Sequence, residues 1–225
     1  MSSIKEQKKK DNIFSPRYFI YDFIKWTGAI PMALWLRPKV YYAGDKKEIK
    51  KQKAVLIMSN HTGMLDPVIM HFAFVYRRLW FLALDNMFKK KFSSWFFRNI
   101  NCIEIKRENM NIASYKNMID YLDRDKAVCI FPEGQIETSK GQLQQFKLGI
   151  TFISILNKTP IIPVYIVRRK NFWHRERIVV GKPVKLYEYC SKIPTMPEIE
   201  NAGKILYAKE QELKQYYENN IRRKK

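Results

Sequence analysis

The feature that most constrains this chain is a series of short, unbroken apolar runs. Residues 54–58 read AVLIM, 79–84 LWFLAL, 127–131 AVCIF and 161–167 IIPVYIV. Two weaker runs, 102–105 (CIEI) and 177–180 (RIVV), extend the set. A strand with one wet face alternates apolar and polar residues, whereas these runs are apolar on both sides, which fits strands covered on both faces. Between them lie helix-length stretches near 67–76, 87–98, 110–122 and 148–156. This alternation predicts a single α/β domain with a mainly parallel central sheet flanked by helices. The expected division is 1–40 as a basic, aromatic N-terminal helical segment, 41–195 as the α/β domain and 196–225 as a charged C-terminal helix. The lysine-rich stretch 46–53 reads as a solvated loop.

Composition narrows the partners. The 225 residues include 42 Lys+Arg against 21 Asp+Glu, a formal net charge of +21. A 46% hydrophobic and 14% aromatic content excludes a disordered basic tail. Three cysteines cannot staple a secreted scaffold and carry no paired metal-ligand spacing, so neither a disulfide framework nor a metal site is expected. A folded domain this basic calls for an anionic partner: nucleic acid, a phosphorylated small molecule or an acidic membrane surface.

No run of 18 uncharged apolar residues exists, so a plain transmembrane helix is not expected. Residues 18–35 come nearest, interrupted by Asp22, Lys25 and Pro31. Trp26 and Trp35, with Arg17, Lys25 and Arg37, suit a segment docked in the headgroup region. The same segment also reads as a helix packed on the protein's own core. Residues 1–10 are polar and lysine-rich and lack the apolar stretch of a secretory signal.

Three candidate sites follow predicted strands at their C-terminal ends, the edge where open α/β sheets bind ligands. The first is Asn60-His61-Thr62-Gly63-Met64-Leu65-Asp66. On one continuous helix, residues five apart point roughly 140° away from each other. A His61–Asp66 contact therefore needs a turn, which Thr62-Gly63 supplies. Asp66-Pro67 would then begin a helix as N-cap and first residue. In this pattern His61 is a general base and Asp66 fixes its tautomer; a loop histidine beside an ordinary N-cap is the alternative. The second is Lys106-Arg107, a phosphate-binding pair or plain surface charge. The third is Phe131-Pro132-Glu133-Gly134, where Gly134 permits close ligand approach, or a simple proline turn. Downstream, Phe146-Lys147-Leu148-Gly149 offers another cation near an expected helix start.

Together these blocks resemble a known family. NHTGMLD matches the NHxxxxD motif of the glycerolipid acyltransferases and FPEG matches their FPEG motif, in the family's order and about 70 residues apart (133 − 61). The chain resembles the bacterial 1-acylglycerol-3-phosphate acyltransferases. The resemblance implies His61 as catalytic base and Asp66 as its orienting partner. It implies Arg107, with Lys106 beside it, at the acceptor phosphate, and Glu133 and Gly134 next to the acceptor. Pro163 matches the family's proline-containing fourth block, and the N-terminal segment its membrane-docking region. It also implies a lysophospholipid acceptor, acyl-CoA or acyl carrier protein as donor, no further cofactor, and a peripheral or monotopic place on the cytoplasmic face of the membrane. Two positions depart from the pattern. Asn101 stands where the second block usually opens with glycine, and Ile136 where an arginine often follows FPEG. Lys140 or Lys147 is the candidate substitute for that arginine, and a lysophospholipid with another headgroup is the alternative acceptor.

Two rivals differ in kind. A nucleic-acid-binding module would account for the charge, but it predicts a reading element such as a zinc spacing or a basic recognition helix, and none is evident. An inactive lipid-binding relative would not require both His61 and Asp66. Cys102 and Cys129 lie in expected strands and read as small core residues. His71 reads as structural.

Overall fold

The computed structural model describes residues 18–105, 112–131, 140–167, 174–191 and 193–222, without the side chains of 112–114 and 140–147. Seven strands form one sheet: β1 (Lys39–Tyr42), β2 (Val55–Ser59), β3 (Leu79–Leu84), β4 (Cys102–Ile105), β5 (Ala127–Ile130), β6 (Ile161–Val167) and β7 (Arg177–Val180), in the order β1-β7-β6-β2-β5-β3-β4. From β6 across to β4 every pairing is parallel. β7 runs antiparallel to β6, and β1 runs parallel to β7. The α/β architecture expected from the apolar runs is the one observed.

The helices are α1 (Phe19–Leu36), α2 (Lys46–Lys51), α3 (Asp66–Ala73), α4 (Lys91–Asn99), α5 (Ile112–Asp123), α6 (Lys140–Leu156) and α7 (Met196–Tyr216). Every residue of β2 is buried, as two-sided cover requires. Alternation then sends Leu56 and Met58 to one face, with Met118 of α5, Ile150 of α6 and Leu206 of α7. Val55 and Ile57 face the other way, with Leu36 of α1 and Ile69, Met70 and Phe74 from α3 and its end. The crossovers β2-α3-β3 and β3-α4-β4 step the same way along the sheet, so the right-handed rule for such units assigns α4 to the α3 face.

Several local expectations needed revision. The stretch 46–53 is not all loop: Asp45 caps α2, its side chain accepting from Lys47 N at 2.9 Å. The helix expected over 87–98 is split into a 3-10 turn, Asp85–Phe88, and α4. α6 begins eight residues earlier than expected (148 − 140), so Lys147 and Gly149 lie in mid-helix rather than at its start. There Gly149 lets Tyr115 of α5 approach: a Cβ would stand 2.1 Å from the tyrosine hydroxyl. Pro163 occupies an interior strand, where its missing N–H is usually excluded. Its carbonyl accepts from Gly181 N at 2.9 Å.

Asn101 takes a left-handed conformation, φ 61°. That explains why asparagine can stand where the family pattern has glycine, since both tolerate this region. Its side chain is buried, and Nδ2 has no hydrogen-bond partner among the described residues. Asn101→Gly removes a buried unsatisfied amide, worth about 1–3 kcal/mol, against roughly 0.5–1 kcal/mol of extra chain entropy. A net gain of about 1 kcal/mol is expected, seen as a melting temperature higher by about 2–4 °C.

Candidate active site

β2 and β5 are parallel neighbours, with Met58 level with Ile130. The loops that leave them therefore emerge side by side at one edge of the sheet. This is how Phe131, at the end of β5, comes to lie beside His61, 70 residues earlier in the chain (131 − 61).

Asn60 sets the exit from β2. Its amide donates from Nδ2 to Ile166 O at 2.9 Å and accepts at Oδ1 from Ile166 N at 2.7 Å. The side chain thus mimics one more rung between β2 and β6, and it fixes the backbone that carries His61. Sequence reasoning missed this role, because its partner lies 106 residues away.

The chain then turns through Thr62-Gly63 and enters α3 at Asp66. Asp66 is not the helix N-cap; Leu65 holds that position and Asp66 is the first helical residue. Its carboxylate, 1% exposed, turns back over the loop. Oδ2 accepts from His61 Nδ1 at 2.6 Å and from Gly63 N at 2.9 Å, and also from Thr62 N. Oδ1 accepts from Thr62 Oγ1 at 2.9 Å. Burial pushes this carboxyl up, but the hydrogen bonds from His61, Gly63 and Thr62 outweigh it and hold the group below its ordinary range. A carboxylate that stays ionised accepts a proton-bearing Nδ1 and leaves Nε2 as the basic nitrogen. Phe131, the first residue of the FPEG block, stacks on the His61 ring at 4.9 Å between centroids and an interplanar angle of 28°. Its own position is set by Phe81, 6.1 Å away and parallel to within 2°. A partly exposed imidazole with Nδ1 held, Nε2 without a partner among the described residues, and an aromatic wall is equipped to take a proton from a bound hydroxyl.

The other expected site residues are distributed as follows. Arg17, Lys106, Arg107, Glu133 and Gly134 lie outside the described residues, as does the side chain of Lys147. The last described residue before that pair is Ile105, at the end of β4, which lies about 14 Å from β2 across three strand spacings. Trp26 and Trp35 are 60% and 42% exposed on α1. Lys25 turns inward, donating to Val75 O and Arg77 O at 2.9 and 3.0 Å. Arg37 ends α1 in a left-handed conformation, its N–H donating to Ala33 O. Burial pushes the Cys129 thiol up, and that of Cys102 to about 12, so both are held as thiols in the sheet.

His71 ties α1 to α3. Its Nδ1 donates to Pro67 O at 2.6 Å, so Nε2 accepts from Tyr21 Oη at 2.8 Å. Tyr21 Oη in turn accepts from Leu79 N. Burial pushes this imidazole down to about 4, the Pro67 carbonyl opposes that and the Lys25 charge adds to it. Unfolded histidine titrates near 6.5, so the unfolded chain binds the extra proton between about pH 6.5 and 4. The contribution of His71 is full above that window and is lost as pH falls through it, by at most about 3 kcal/mol. Wild type should lose more stability than His71→Gln between pH 7 and about pH 4, measured by denaturant melts.

Residues 41–167 match the family model described as Acyltransferase, more than half of the chain. The chain belongs to the acyltransferase family. The chain is 26% identical over 167 residues to the 1-acyl-sn-glycerol-3-phosphate acyltransferase of Borreliella burgdorferi, covering 73% of this chain and 66% of that one. It is 26% identical over 139 residues to the enzyme of the same name from Bacillus subtilis, covering 61% and 67%. A probable 1-acyl-sn-glycerol-3-phosphate acyltransferase of Mycoplasma pneumoniae is 32% identical over 125 residues, covering 52% of this chain and 45% of that protein. The chain thus spans between about half and two thirds of these relatives' own lengths. In fold it is similar to the crystal structure of the 1-acyl-sn-glycerophosphate acyltransferase PlsC from Thermotoga maritima, with a TM-score of 0.58, 18% identity, and coverage of 88% of this chain and 80% of that one.

Proposed function

We propose that this acyltransferase moves a fatty acyl group from a thioester, acyl-CoA or acyl carrier protein, to the free hydroxyl of 1-acyl-sn-glycerol-3-phosphate, forming phosphatidic acid for phospholipid synthesis. The observation that carries this reading is His61, held at Nδ1 by the buried Asp66 and walled by Phe131 of the FPEG block. The names of the relatives supply the acceptor class.

In the reaction His61 Nε2 takes the hydroxyl proton as that oxygen attacks the thioester carbonyl. A C–O bond forms, the tetrahedral intermediate collapses, the C–S bond breaks and the thiolate leaves with the proton from His61. A positioned base of this kind contributes about 10²–10⁴-fold, and alignment of the two substrates adds up to roughly 7–11 kcal/mol. The thioester supplies the activated acyl group, so the scheme needs no metal or redox cofactor. Arg107 and Lys106 bind the acceptor phosphate, with Glu133, Gly134 and Lys147 lining the acceptor side.

Among the described residues no helix is long and apolar enough to cross a membrane. Phe19, Phe23, Trp26, Ile30 and Leu34 form an exposed stripe at helical spacing along α1. We assign this stripe to docking on the anionic cytoplasmic leaflet, as a peripheral or monotopic contact; the partners are membrane lipids and substrates rather than nucleic acid. Arg107→Ala tests the acceptor: KM should rise at least tenfold for lysophosphatidate and stay unchanged for lysophospholipids without a phosphomonoester. Equal effects on both acceptors would move the phosphate site elsewhere and favour another headgroup, the reading that Ile136 in place of arginine supports.

A further inference from the structure

α4 is hard to account for as a core helix. Four of its nine residues are aromatic, Phe92, Trp95, Phe96 and Phe97, yet none is buried. Phe92 and Trp95 are 76% and 50% exposed, and their rings pack against each other at 5.9 Å. Met87, just before α4, is exposed as well, and so are Lys89, Lys90 and Lys91. Those lysines sit where the helix dipole favours acidic side chains, so they do not stabilise α4. The pattern of an apolar aromatic pair bordered by ammonium groups matches the interfacial zone of an anionic bilayer, where aromatic rings enter and lysines meet phosphates.

Position gives the patch a purpose. The 3-10 turn and the start of α4 follow the C-terminal end of β3, the same sheet edge at which the His61 loop leaves β2. By the handedness rule α4 belongs to the α3 face, which also carries the end of α1. We propose that Met87, Phe92 and Trp95, with Lys89, Lys90 and Lys91, form a second membrane contact, which seats the catalytic edge on an anionic leaflet independently of α1. A lysophospholipid acceptor then reaches His61 without leaving the bilayer surface. This rests on the acyl-transfer reading only for its purpose; the contact itself is testable alone.

The test uses the full chain and co-sedimentation with vesicles of phosphatidylcholine, with and without phosphatidylglycerol. Each lysine near an acidic leaflet is worth about fivefold in partitioning. Lys89→Gln, Lys90→Gln and Lys91→Gln together should weaken binding to the anionic vesicles about tenfold to a hundredfold at low salt and much less in high salt. In the unaltered protein, brominated lipids should quench a tryptophan signal that disappears in Trp95→Phe. Phe92→Ser with Trp95→Ser should reduce vesicle binding while keeping turnover on a short-chain, water-soluble acceptor. Unchanged partitioning of the lysine variant, or no quenching assigned to Trp95, overturns the proposal. So does normal vesicle binding combined with a selective loss of turnover from acyl carrier protein, which would assign the patch to an acidic protein. A wild-type chain that binds vesicles through α4 but transfers no acyl group would leave this contact standing and remove the proposed reaction.

Discussion

Replacing His61 with alanine is expected to lower thiol release from an acyl thioester, in the presence of lysophosphatidate, by about 10³-fold, within the range for loss of a positioned base. The fold should survive. His61 is partly exposed, and in its absence Asp66 keeps three donors, from Thr62 N, Thr62 Oγ1 and Gly63 N. Circular dichroism and the melting temperature should therefore stay near wild type. The loss should fall on kcat rather than on KM, because proton transfer belongs to the transition state and not to acceptor binding. An effect confined to KM would recast His61 as a binding residue.

Asp66→Asn is expected to combine a comparable loss of activity with a loss of stability. The asparagine oxygen can serve only part of the donor set now shared by the two carboxylate oxygens. Its NH2 group must face at least one N–H or O–H, and each buried group left unpaired costs about 1–3 kcal/mol. His61 also loses the acceptor that holds a proton on Nδ1. Where that geometry fixes the tautomer of a catalytic histidine, the amide costs up to about 10⁴-fold in turnover. A melting temperature lower by several degrees, together with this rate loss, separates Asp66→Asn from His61→Ala. A stable but inactive Asp66→Asn would mean that the loop donors find other partners.

The sheet was legible because its inner strands are apolar on both faces, a pattern that few other structures require. β1 was not: KVYY is short, carries a lysine and has no fully buried residue. It exists through pairing with β7, more than 130 positions further on (177 − 39). α2 was hidden by its lysines, although Asp45 carried a capping signal. Within the site, the turn residues Thr62-Gly63 made the His61–Asp66 contact readable, and parallel strands made the meeting with Phe131 natural. What could not be read was the direction of the Asp66 carboxylate. An aspartate before Pro67 looks like an N-cap, yet the loop amides and His61 draw it backwards. Asn60 and the Tyr21–His71 pair were invisible for a common reason: their partners are set by tertiary packing, at separations of 106 and 50 residues.

The +21 charge was open to a nucleic-acid reading from composition alone. The structure distributes its cations differently. Lys25 ties α1 to the turn that follows α3, Arg78 pairs with Asp22 at 2.6 Å, and the Lys89–Lys91 group borders exposed aromatic rings near the catalytic edge.

The most direct test of the central claim is to incubate the purified protein with lysophosphatidate and either acyl-CoA or acyl carrier protein thioester, following lipid product by mass spectrometry and thiol release in parallel. The account predicts phosphatidate formed one-for-one with free thiol in wild type, and both products formed about 10³-fold more slowly with His61→Ala. Phosphatidate formation by His61→Ala at the wild-type rate would contradict it.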